Sequence, residues 1–184
     1  MRNSLMISVH LCPSAVLFFS LGLFAAVFFC ACSTPPLPEE SVPVVALMGE
    51  RLSLARDVAW AKWTAGLPVR DPAEAEVVKK LVRQGEASDL EEGVVLRFAR
   101  AQIEASYLEQ EAWMKRWREG EPLPAGDPPA LEALRLRLDR MSTFLLAEYA
   151  GAWETPPAAA RARLKKSVID PRSASVAASA FVGK

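Results

Sequence analysis

The run ERLSLARDVAWAKWTAGLPVRD, residues 50–71, decides the fold. Its apolar and small residues recur at helical spacing, and it closes on Gly66 and Pro68, which stop a helix. Positions i, i+4, i+7 and i+11 share a helical face, so Arg51, Ala55, Val58 and Lys62 form one stripe with a cation at each end. Two long cationic side chains leaning over Ala55 and Val58 suit a compact ligand with more than one negative group. Taken alone, the same spacing more often describes two solvated charges on an amphipathic helix.

Outward from this stretch the pattern stays helical, with no alternating strand and no repeat. A first helix is expected from Val44 to Ala65. Asp71 then caps a second, with Pro72 at its first position and Glu74 at its third, a capping-box arrangement. A loop over Gln84–Ala87 leads to Ser88, whose partner Glu91 makes another capping box for a third helix reaching Arg118 despite Gly93. The breaker EGEPLPAGDPP, residues 119–129, ends it. A fourth helix is expected over Ala130–Trp153 and a short fifth over Pro157–Val168. The fold class is therefore all-α, a single helical domain at 44–170. A Pro-rich spacer precedes it at 33–43 and a loose tail follows at 171–184. Helices one, three and four are long enough to enclose a pocket.

The first 32 residues have the layout of an export segment. Arg2 is followed by an uncharged run to Cys32 that includes AVLFFSLGLFAAVFF, with Ala31 as the small-residue exit. Three readings fit it: a cleaved signal peptide, an uncleaved membrane anchor, or a lipoprotein signal ending at Cys32. The motif FCACS looks like a lipoprotein cleavage site, although Phe29 departs from the usual Leu, and the choice between these readings stays open; a lipidated Cys32 would tether the domain to a membrane. All three readings put the domain outside the cytoplasm, in the periplasm.

Cys12, Cys30, Cys32 and the one histidine, His10, all fall in that segment. The mature domain is left without disulfide, imidazole base or thiol nucleophile, which removes zinc sites, serine–histidine triads and cysteine hydrolases from consideration. No metal or cofactor is expected. The chain carries 22 basic and 22 acidic residues. Only Arg2 of these lies before Cys32, so no basic excess exists to bind nucleic acid.

The third helix carries a second polar line, Gln102, Ser106 and Gln110, spaced by four. Ile103, Ala105, Leu108 and Trp113 around it suit packing. Trp60, Trp63, Trp113, Trp117 and Trp153 suit a core better than a ligand platform. By itself the polar line is as well explained by a solvated face.

Four pieces in order change that balance: ERL at Glu50–Leu52, AKW at Ala61–Trp63, LPVRD at Leu67–Asp71, and RFARAQIEASYLEQ at Arg97–Gln110. Together they resemble the secreted chorismate mutases of the AroQ type, gamma class. The likeness continues more weakly into ALRLRLDRMSTFLL, which places Arg135 on a family arginine. The resemblance implies an exported, homodimeric isomerase converting chorismate to prephenate, a reaction of aromatic amino acid biosynthesis. It implies that Lys62 and Gln110 hydrogen-bond the ether oxygen, that Arg51 and Arg135 hold carboxylates, and that Ser106 contacts a carboxylate or the ring hydroxyl. Asp71 would also contact substrate, although helix capping explains it already. The implied site needs no metal and no cofactor. Some relatives have a glutamate where Gln110 stands, and some carry a C-terminal disulfide that this chain cannot form. One departure concerns the pocket itself: relatives carry an arginine three residues after the LPxxD aspartate, and this chain has Glu74. Two further readings stay open, a degenerate homologue that binds chorismate-like anions and a helical envelope lipoprotein. Arg70 is near enough in sequence to stand in for the missing arginine.

Overall fold

The chain divides into two units, Met1–Cys32 and Ser33–Lys184. A computed structural model describes residues 41–70, 72–87, 89–152 and 155–181, all in the second unit. The expectations about the signal peptide, the anchor and Cys32 lie outside these residues, as do those about Asp71, Ser88 and Trp153.

Among the described residues the architecture is all helix. Seven helices follow in order: α1 Ser41–Ser53, α2 Ala55–Thr64, α3 Glu74–Glu86, α4 Glu92–Arg118, α5 Leu131–Ala152, α6 Pro157–Leu164 and α7 Pro171–Ala178. The expected first helix is thus two, interrupted at Leu54. There the amide of Leu54 bonds to the Arg51 carbonyl, three residues back, before the ladder resumes with Val58 to Leu54. The break preserves the shared face of Arg51, Val58 and Lys62. Gly66, at φ +65°, ends α2 as expected. Its amide reaches Trp63 while Leu67 reaches Lys62, the paired bonds of a Schellman cap.

The second helix begins later than expected, at Glu74, with Ala73 at its N-cap. It also runs through the expected loop to Glu86. Gly85 permits this, because a Cβ there would come within 2.3 Å of Val95 Cγ2 on the crossing α4. The third helix also begins later than expected: α4 starts at Glu92, with Glu91 extended at its N-cap.

At 27 residues, α4 spans about 40 Å and forms the spine of the bundle. The main core joins Val44, Met48 and Leu52 of α1, Val95 and Phe98 of α4, and Leu145, Leu146 and Tyr149 of α5. The Tyr149 ring packs against Phe98 at 4.7 Å and Phe181 at 5.5 Å, and its hydroxyl donates to the Ala180 carbonyl. Trp60, Trp117, Ala59 and Met114 make a second cluster near the far ends of α2 and α4, with Trp63 and Trp113 partly exposed against it.

The C-terminal segment corrects the expectation of a loose tail. Residues 171–178 are helical, and Ala174, Ala177, Ala178, Ala180 and Phe181 are buried. Asp170 caps this helix through the Arg172 amide, and Pro171 opens it. The carboxylate of Glu109, itself buried on α4, accepts the amides of Ile169 and Asp170 at 3.0 and 2.9 Å, tying the segment to the spine.

Candidate active site

The stripe on α1 and α2 faces the polar line on α4 across a cavity of about 360 Å³, in the range usual for small-molecule sites. Arg51, Val58 and Lys62 form one wall; Ile103, Ser106, Tyr107 and Gln110 form the second. A third comes from α5, where Leu131, Arg135, Leu138 and Ser142 repeat the i, i+4, i+7, i+11 spacing. The start of α3 closes the remaining side with Ala73, Glu74 and Val77.

Arg51 is buried at 6 % exposure, and its Nη1 donates to the Gln102 carbonyl at 3.0 Å. Burial pushes its guanidinium down to about 10, partly offset by the charge of Asp139. It therefore remains a cation at neutral pH. Lys62 is 5 % exposed, and its ammonium donates to the Val69 carbonyl, which the Gly66 cap has turned back toward α2. The same ammonium stands 5.7 Å from the Tyr107 ring centroid. Gln110 Nε2 donates to Ser106 Oγ at 3.2 Å, while Gln110 Oε1 is buried with no partner among the described residues. Arg135 lies at the exposed rim, 3.6 Å from Glu132.

Of the residues singled out in the sequence, Arg51, Lys62, Ser106, Gln110, Arg135 and Glu74 line this cavity. Gln102 does not: its side chain is buried beside the site, and its carbonyl is what meets Arg51. Arg70 does not replace the missing arginine. Its guanidinium is held by both oxygens of Glu104 at 2.9 Å and lies 5.1 Å from the Tyr107 ring, outside the cavity lining. None of the described tryptophans lines the cavity.

Tyr107, Glu132, Asp139 and Ser142 went unread in the sequence. Ile103, Tyr107 and Gln110 share a face at i, i+4 and i+7, and α5 carries the same stripe that drew attention to α2. Periodicity applied to those helices reaches Tyr107 and Ser142. Asp139, which pairs with Lys80 at 2.7 Å, depends on how α3 meets α5 and leaves no local signal.

Residues 43–111 match the family model described as chorismate mutase type II. The chain has the AroQ chorismate mutase fold. Its similarity to the secreted chorismate mutase of Mycobacterium tuberculosis (strain ATCC 25618 / H37Rv) is 27 % identity over 128 residues, covering 67 % of this chain and 64 % of that relative. The chain thus spans just under two thirds of that relative's length. The secreted chorismate mutase from Yersinia pestis superposes with a TM-score of 0.66 at 25 % identity, covering 76 % of this chain and 95 % of the other. A chorismate mutase from Burkholderia thailandensis gives 0.63 at 26 % identity, covering 77 % and 97 %. The chorismate mutase family match takes in Arg51, Lys62, Ser106 and Gln110 and stops before α5, so Arg135 stands outside it.

Proposed function

We propose that this protein is an exported chorismate mutase, an isomerase that rearranges chorismate to prephenate within one cavity. The observation that carries the reading is the convergence of Arg51, Lys62, Ser106, Gln110 and Arg135 on that cavity. The reaction is a concerted shift in which an ether carbon–oxygen bond breaks as a carbon–carbon bond forms. It needs neither nucleophile nor proton transfer, which agrees with a site built from hydrogen-bond donors and cations.

Catalysis then comes from two sources. Arg51 and Arg135 hold the two carboxylates and keep the side chain folded over the ring, so the reacting carbons meet. Lys62 and the Gln110 amide donate to the ether oxygen as it becomes negative, in a site where both donors are already buried and need little reorganisation. Ser106, already bonded to Gln110 Nε2, orients that amide and contacts a carboxylate or the ring hydroxyl. Asp71 completes the assignment as a further substrate contact.

Export is supported by the N-terminal signal layout and by the relatives named as secreted. Lipidation at Cys32, a periplasmic membrane tether, membership of the gamma class and a homodimeric state belong to the same proposal. Glu74 in the lining supports turnover reduced by about ten- to a hundredfold relative to a site with an arginine there, the cost of one charged hydrogen bond. The same residue favours a second reading, a homologue that binds a related anion without useful turnover. Chorismate consumption with prephenate appearance, measured on the purified full chain in detergent, separates the two: product formation supports the enzyme, and binding without product supports the homologue.

A further inference from the structure

The cavity is charge-balanced. Its described lining holds three cations, Arg51, Lys62 and Arg135, and three carboxylates, Glu74, Glu132 and Asp139. Glu132 lies 3.6 Å from Arg135, and Asp139 is paired with Lys80 while its field also reaches Arg51. Two carboxylates are thus already answered by protein cations. Glu74 is not: it makes no hydrogen bond or ion pair with a described residue. The nearby Arg70 feels its charge but is held by both oxygens of Glu104. Chorismate entering this cavity has only its uncharged ring hydroxyl to set against the carboxylate at the start of α3.

We propose that the site selects a chorismate-like dicarboxylate that also carries an ammonium group, with Glu74 as the residue that pairs with that group. The inference rests on the chorismate mutase reading and refines its ligand. Arg51 and Arg135 keep their carboxylate roles, and the ligand's own cation meets the cavity carboxylate that has no bonded partner among the described residues. A charge-assisted pair of this kind discriminates by about tenfold or more against an uncharged hydroxyl at the same place. Glu74 also occupies the first turn of α3, where a carboxylate favours the helix irrespective of any ligand.

The test is calorimetric titration of the full chain in detergent with two analogues whose reacting ring double bond is reduced, so that neither rearranges. One keeps the ring hydroxyl and the other has an amino group in its place. The expected result is at least tenfold tighter binding of the amino compound, loss of that preference in Glu74→Gln, and its reversal in Glu74→Arg. Equal or tighter binding of the hydroxyl compound by the wild type overturns the inference and leaves the mutase reading standing. Failure of both compounds to bind a folded protein overturns both. Equal weakening of both compounds in Glu74→Gln, together with a lowered Tm, assigns Glu74 to the helix start alone and also overturns it.

Discussion

Arg51 and Lys62 are charged side chains held at 6 % and 5 % exposure, where burial of a charge carries a solvation cost. For Arg51 the sign is explicit. Burial lowers its folded value to about 10, so the unfolded chain binds the proton more tightly, and the buried charge opposes folding at all pH values below that. Asp139 keeps Lys80 as a partner if Arg51 is removed. Arg51→Met is therefore expected to reduce turnover by about a hundredfold or more while its Tm, followed by circular dichroism, stays level or rises. A clear drop in Tm would make Arg51 a structural residue. The pH profile follows from the same chemistry. Gln110 has no proton to lose and Arg51 stays charged, so turnover is expected to be flat from mildly acidic to neutral pH and to fall on the alkaline side as Arg51 titrates. A steep loss between mildly acidic and neutral pH, with the fold intact, would remove Gln110 from the oxygen-binding role.

Among the elements, α7 is tied to α4 by a buried carboxylate as well as by its apolar packing. Glu109→Ala leaves the Ile169 and Asp170 amides without their acceptor, at a cost of about 2–4 kcal/mol or roughly 5–15 °C in Tm. Glu109→Gln, which keeps one acceptor oxygen, should lose less, and equal losses would show that the bonds to the amides are not what matters. The α3–α4 crossing is tested at Gly85. Helix propensity favours alanine there by about 1 kcal/mol, yet the added Cβ meets Val95 at 2.3 Å, so destabilisation of about 1–3 kcal/mol is expected. Val95→Ala in the same chain should recover most of it; a Gly85→Ala protein more stable than wild type would show that the crossing adjusts freely. These two places also mark where the sequence was hard to read. In α7 the buried residues are Ser173 and three alanines, whose small side chains give no apolar stripe, although the Asp170–Pro171 start signal was present. Near Gly85, glycine reads as a loop unless the crossing helix is known. By contrast, the end of α2 was legible because Gly66 and Pro68 act locally, within a few residues of the helix they stop.

For the molecule as a whole, the all-helical fold was legible because long periodic segments dominate it. The site was legible in proportion to how far each wall is encoded on one helix. The Arg51–Lys62 stripe survives even the break at Leu54, and Ser106 and Gln110 sit one turn apart. The cavity's carboxylates Glu132 and Asp139 become part of it only through the packing of α5 against α2 and α3. The central claim is that these walls together bind and rearrange chorismate, with Lys62 stabilising the oxygen that leaves carbon. Its most direct test is chorismate loss and prephenate formation by the purified wild type beside Lys62→Ala. The account predicts product from the wild type and a loss of about a hundredfold or more in the variant, with both proteins equally folded. A folded wild type that forms no prephenate, or a Lys62→Ala protein as active as wild type, would contradict it.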